Sequence, residues 1–402
     1  MTGIDPLASD GDQEGNWPQP EELAGASPAP EPPLPPLPPL TPLPPLAPVA
    51  PLPPPPPEPV AVPINWLVDQ GSGPIRYRAF TELAKVSPVP DRLLSLVYGH
   101  PPAITLAITQ RAEGTWYNAM LAVPSPRAQG FEGIGTILAY RRLLEYGWEK
   151  DAPPLFHARR ILFRLLAEDN DPTLLFELAE KGKHDDDVRR NRVLLREAAA
   201  AALAQAGYEG DPRLRGAALR LLARVMTYLR SPLAADPWTD ATKRVLAPGA
   251  SPPSYFFLLM LAHMPLFRLE HASEMDEILR YLTSAQQGEG SPGQRHLVMG
   301  DPLADEEGAS DIAFATAWLE LTARLGYLKR YDPWAQSFAR LIEQCDESFV
   351  WRGKRGAGAR ASSPFVWPAF QLGAGTADDH ASEVTFRLGL IAKFAGRPLE
   401  LV

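Results

Sequence analysis

Gly147-Trp148-Glu149-Lys150-Asp151-Ala152-Pro153 is the stretch on which the fold turns. It follows an apolar helical pattern that ends in Leu143 and Leu144. Glycine at a helix end takes the left-handed conformation that closes the helix, and the aromatic beside it packs back on the last turn. Asp then caps the next helix, and Pro is tolerated in its first turn. The same grammar returns in Gly207-Tyr208-Glu209-Gly210-Asp211-Pro212 after Leu203, and in Gly326-Tyr327 with Asp332-Pro333 after Leu321 and Leu325. Gly147 and Gly207 are 60 residues apart and Gly207 and Gly326 are 119 apart, which is one period and two. One period before Gly147 lies Ser87, within Val86-Ser87-Pro88-Val89-Pro90-Asp91, and one period after Gly207 lies Phe267. Gly396-Arg397-Pro398 ends the last helix in the same way.

Between these junctions apolar residues recur at helical spacing. The pattern predicts helices over 74–85, 102–111, 133–146, 154–167, 172–181, 186–206, 211–229, 254–267, 273–286, 311–325, 333–344 and 380–395. Each period of about 60 residues then holds two helices, an αα-hairpin, and five hairpins with an opening helix fill 66–396. A hairpin cannot bury its apolar face alone, so the hairpins stack, as an open solenoid or as a closed ring.

Composition separates this body, 64–402, from a tail, 1–63. Of 46 prolines in the 402 residues, 23 fall in 1–63. That stretch also holds eight acids and no Lys or Arg. The chain has 39 basic and 48 acidic residues, so subtracting the tail leaves 40 acids and a body at −1 of the total −9. A body without basic excess argues against nucleic acid as partner. Proline at the tail's density excludes helix and sheet and favours a disordered, extended polyproline II chain. Leu34, Leu37, Leu40, Leu43 and Leu46 recur every third residue, which puts them on one edge of such a chain, available to a protein partner. The alternative is a plain spacer. The single cysteine, Cys345, excludes an internal disulfide. No apolar run reaches the ~18 residues of a transmembrane segment. The opening MTGIDPLASDGDQ lacks the segments of a signal peptide, and a cytoplasmic location is expected.

Leu106-Ala107-Ile108-Thr109-Gln110-Arg111-Ala112-Glu113-Gly114-Thr115-Trp116 reads L-x3-Q-x3-G-x-W. It resembles the QW repeat of squalene–hopene cyclases. Leu282, Gln286 and Gly290, with Pro292 in place of Trp, form a weaker copy, and Gln344 with Trp351 a weaker one still. Thr316-Ala317-Trp318-Leu319-Glu320-Leu321 looks like the inner helices of the same fold, and Gly135-Thr136-Ile137-Leu138-Ala139-Tyr140 is a looser version. Asn65-Trp66-Leu67-Val68 and Ile75-Arg76-Tyr77-Arg78-Ala79-Phe80-Thr81-Glu82-Leu83 are similar to the start of bacterial squalene-cyclase-like proteins. The resemblance implies an all-α fold, the α/α toroid of terpenoid cyclases and protein prenyltransferases, with a central pocket for an isoprenoid or other apolar ligand. It does not carry over a reaction.

The cyclase acid D-x-D-D is absent. Asp169-Asn170-Asp171-Pro172 lacks the last Asp and reads as a capping turn. D-D-x-x-D is absent too. Prenyltransferases hold zinc with Asp, Cys and His; Cys345, Asp346 and His380 are the only such set here, in the wrong order, and a half-buried Cys with a capping acid pair explains the same residues. No cofactor is expected. Asp378, Asp379 and His380 remain as catalytic candidates. Trp116, Tyr117, Trp318, Trp351 and Trp367 are candidates to line an apolar pocket, and Arg352 and Arg355 in the basic stretch 352–360 are candidates to meet an anionic head at its mouth. The alternative is a scaffold in which the tryptophans brace hairpins and the body and tail bind proteins.

Overall fold

The computed structural model describes residues 57–125, 127–167, 185–240, 245–284, 300–303, 311–353, 363–369, 372 and 377–402. The leucines of the tail, the expected helix 172–181, Asp169 to Asp171, the copy at Gln286 to Pro292, and Arg355 lie outside these residues.

The described residues open on a strand, β1 (Val60–Val62), although composition places these residues in the tail. Two short helices follow, α1 (Ile64–Gln70) and α2 (Gly73–Arg78), and α2 passes into a π-helical turn, Ala79–Leu83. Then come α3 (Asp91–Tyr98), α4 (Pro101–Ile108), α5 (Thr136–Glu145), α6 (Pro153–Leu166), α7 (Asp185–Gln205) and α8 (Pro212–Leu229). A two-stranded antiparallel ribbon, β2 (Trp238–Asp240) and β3 (Val245–Leu246), precedes α9 (Tyr255–Ala262), α10 (Pro265–Glu270) and α11 (Ala272–Leu282). The chain ends with α12 (Ile312–Arg324), α13 (Asp332–Glu343), α14 (Ala377–Phe394) and β4 (Leu399–Leu401). The described residues are thus mostly helical, as the periodicity predicts.

The junction chemistry is seen four times. Gly147, Gly207, Gly326 and Gly396 have φ of 91°, 81°, 75° and 73°. At each, the N–H of the following residue reaches back five positions: Trp148 to Leu143 O (3.0 Å), Tyr208 to Leu203 O (3.1 Å), Tyr327 to Thr322 O (2.8 Å) and Arg397 to Ala392 O (3.0 Å). This pattern satisfies carbonyls that a helix end otherwise orphans. The expected Asp caps are less uniform. Asp211 caps α8 by accepting from Arg213 N, whereas Ala152 and Tyr331 stand at the cap positions of α6 and α13. The predicted helix 254–267 is broken at His263-Met264. Met264 precedes Pro265, which disfavours helical backbone at Met264.

Two classes of helix are visible. Every residue of α9 is buried, and α12 is buried from Phe314 to Ala323, so these lie inside the body. α8, α11 and α13 bury one stripe each, through residues such as Leu214, Leu221 and Val225 of α8, and turn the other face to solvent. α5 packs on α7, α7 on α9, α9 on α12, and α12 on α14. α14 packs in turn on α1 and α2. β1 and β4 pair in parallel, Val60 opposite Leu399 and Val62 opposite Leu401, with Val60 and Val62 buried.

Candidate functional site

Helix ends build the site. A cavity of about 550 Å3 is lined by Arg78, where α2 gives way to the π turn, by Glu145 and Gln205, the last residues of α5 and α7, by His263, which follows α9, and by Arg324, the last residue of α12. These five are spaced 67, 60, 58 and 61 residues apart, so the sequence period delivers one polar side chain per repeat to the same place. Tyr77, Glu82, Leu144, Ala206 and the 147–151 junction complete the wall. Gly147 is required there. Besides its positive φ, a Cβ on it would stand 2.8 Å from Tyr77 Cδ1.

Behind the wall runs a chain of alternating charges. Arg78 pairs with Glu82 and, at 2.8 Å, with Glu145 Oε2. Arg387 of α14 donates to Glu145 Oε2 at 3.1 Å and to Glu320 Oε2 at 2.6 Å, and Arg324 closes on Glu320 Oε1 at 2.8 Å. Gln205 donates to the other oxygen of Glu145 at 2.7 Å, and the Ala369 carbonyl accepts from Arg387. Burial pushes Glu145 and Glu320 up, but for Glu145 Arg78 and Arg387 outweigh it, and for Glu320 Arg324 and Arg387 do. Both carboxyls sit below their ordinary range and stay ionised. Burial works against the Arg78 and Arg387 guanidiniums, and the facing carboxylates raise both regardless. Arg141 and Arg142, also buried, donate to the carbonyls of Phe365 (2.9 Å) and Trp367 (2.8 Å).

His263 behaves differently. Burial, with Arg324 second, lowers its imidazole to about 3, so it faces the cavity neutral. This has a consequence for stability. Above the unfolded value near 6.5 neither state is protonated; below it the unfolded chain takes a proton that the folded chain refuses. Stability therefore falls on acidification from about pH 6.5, by about 1.4 kcal/mol per pH unit for such a histidine. His263→Gln is expected to flatten the urea-unfolding profile between pH 6.5 and 5, leaving the slope that His100, which burial lowers too, contributes in the same direction. Equal slopes in both proteins would refute it.

The candidates read from sequence fall elsewhere. Trp116 is fully buried, donating from Nε1 to Leu106 O (2.8 Å) while its backbone N donates to Thr136 Oγ1 (3.1 Å). Gln110 of the same motif reaches Pro154 O at 2.8 Å, so the motif ties α4 to the starts of α5 and α6. The weak copy repeats this: Trp351 Nε1 donates to Gln344 Oε1 (3.0 Å), and its backbone N to Thr385 Oγ1. Trp318 is buried against Trp334, and Trp367 lies under the Arg142 guanidinium at 4.1 Å. Tyr117 is half-buried with φ 47°. None of these lines the cavity. Arg352 pairs with Asp346, which also accepts from Ser348 and Val350 N–H and so closes a turn. Burial, then Asp346, pushes the Cys345 thiol up to about 11. His380 packs edge-on to Trp351, and Asp378 and Asp379 lie in the first turn of α14. Among the described residues no three of His, Cys, Asp and Glu are grouped to hold a metal ion, so Cys345, Asp346 and His380 do not form the set that zinc requires. No helix among the described residues is long and apolar enough to cross a membrane. The chain matches no protein-family model, no curated protein and no solved structure.

Proposed function

We propose that the body is an α/α toroid whose cavity, at the ends of its inner helices, binds a small polar organic molecule. The observation that carries this is the meeting of Arg78, Glu145, Gln205, His263 and Arg324, one from each of five successive repeats, around one 550 Å3 space. The helix contacts that run from α5 to α14 and back to α1 and α2 support the closed arrangement, as does the L-x3-Q-x3-G-x-W resemblance. A buried charge chain is poor stabilisation, since apolar residues of equal volume do as well or better. Its presence under a cavity favours a site. The polar wall favours a polar ligand over an isoprenoid, because an apolar chain seated there strips water from Arg78, Glu145 and Arg324 and returns no hydrogen bond. Binding is favoured over proton transfer at Glu145, Glu320 and His263. The two carboxyls are held ionised and the imidazole is neutral near pH 7, so none of the three is poised as an acid.

Thermal-shift assays with polyamines, amino acids, dicarboxylates, sugars and farnesyl diphosphate test the reading. At least one polar compound is expected to raise the melting temperature, and to lose that effect in Ala206→Phe, which narrows the cavity wall. Stabilisation by farnesyl diphosphate alone, or by nothing, would overturn it.

A further inference from the structure

The charges around the cavity divide into those already satisfied and those left over. Arg78 is shared between Glu82 and Glu145, Arg324 is held by Glu320, and Asp151 pairs with Arg159 at 3.1 Å. Lys150 lies over the Tyr208 ring at 4.9 Å. Glu149 has no ion-pair partner among the described residues, and Glu82 uses only Oε1 on Arg78. The acceptors left over are thus carboxylate oxygens. The cations are spent on acids or on an aromatic face.

Two further features agree in sign. α5, α7, α9 and α12 all direct their C-terminal ends at this space, and the π turn beyond α2 ends beside it at Leu83. Helix C-termini carry the negative end of the peptide dipole, so the field of the backbone favours positive charge. Tyr77 and Trp148 stand in the wall, and aromatic faces attract a desolvated cation. Trp148 is fixed by packing on Tyr98, with ring centroids 5.0 Å apart. His263, neutral, has a lone pair to offer to an N–H donor.

We propose that the occupant is a small organic amine, whose ammonium is held by the carboxylates of Glu149 and Glu82 with Tyr77 and Trp148 as its aromatic wall. This rests on the polar-ligand reading and narrows it. A di- or polyamine also has His263, in the same wall, to meet its second N–H donor.

Calorimetry with spermidine, putrescine, glutarate and glucose tests it on the full chain. Spermidine or putrescine is expected to bind, and Glu149→Gln, an exposed change outside the buried charge chain, is expected to weaken the affinity about tenfold, as loss of a charged hydrogen-bond partner does. Tyr77→Leu is expected to weaken it further. Binding of glutarate or glucose with no amine binding would overturn the amine assignment and leave the polar-ligand reading standing. Amine binding that is indifferent to Glu149→Gln and Tyr77→Leu would overturn this placement. Absence of binding by all four, with no stabilisation across the wider thermal-shift panel, would remove both.

Discussion

Arg387→Met is expected to lower the free energy of unfolding by about 3–5 kcal/mol, read as a shift of the urea midpoint. The guanidinium joins Glu145 to Glu320 and caps the Ala369 carbonyl, with almost none of its surface exposed. Methionine fills similar volume, so the loss is electrostatic. One negative charge is left uncompensated between the buried Glu145 and Glu320, and the penalty is the desolvation that Arg387 offsets. The pH dependence separates this from a packing defect. Glu145 and Glu320 are depressed in the folded protein. Their contribution is present above the ordinary carboxylate value near 4.3 and is lost as pH falls below it. The difference between wild type and variant should therefore narrow below about pH 4.5. A deficit under 1 kcal/mol, or one that stays constant with pH, would refute the interpretation.

The second large effect concerns β1. A chain beginning at Pro57 and one beginning at Pro63 differ by six residues, yet the shorter is expected to be less stable by about 2 kcal/mol. Val60 and Val62 are both buried, and full burial of each contributes roughly 1.5–3 kcal/mol. Backbone bonds from Val60 N to Pro398 O (2.9 Å) and from Val402 N to Val62 O (3.0 Å) are lost with them. The ordering entropy of a three-residue strand, about 1–2 kcal/mol per residue, offsets most of the burial, so the net is close to the two hydrogen bonds at about 1 kcal/mol each. Val62 also packs near Gly389, where a Cβ would stand 3.4 Å from its Cγ1, so the gap opens against α14. Equal melting temperatures for the two chains would mean that the strand is decoration.

What the sequence made legible was local. Gly147, Gly207, Gly326 and Gly396 carry their own instruction, because only glycine takes that backbone cheaply, and the helices they end fall where the periodicity predicts. Val60-Ala61-Val62 was not legible. Three apolar residues after a run of prolines read as tail until their partner, Leu399–Leu401, is known. The site was hidden for a different reason. Arg78, Glu145 and Arg324 look like the solvated edges of amphipathic helices, and nothing in their own neighbourhood says that they are buried. Their spacing of about 60 residues is the signal that marks them, and the junction glycines share that period. The tryptophans misled because a large aromatic at a loop tip serves equally as a wall or as a wedge. Trp116 and Trp351 are wedges, each tied to a threonine hydroxyl on the next inner helix.

The pairing of β1 with β4 has a kinetic side. Val60 and Leu399 are separated by 339 positions, so bringing them together before the intervening helices have packed costs about 5 kcal/mol of loop-closure entropy. Two three-residue strands cannot meet that alone. The pair forms only when the helices between have already brought its halves into reach, which makes it a latch set at the end of folding. Contacts of such sequence separation slow the search. They also couple the first helices to the last, so that fraying at either is felt at both.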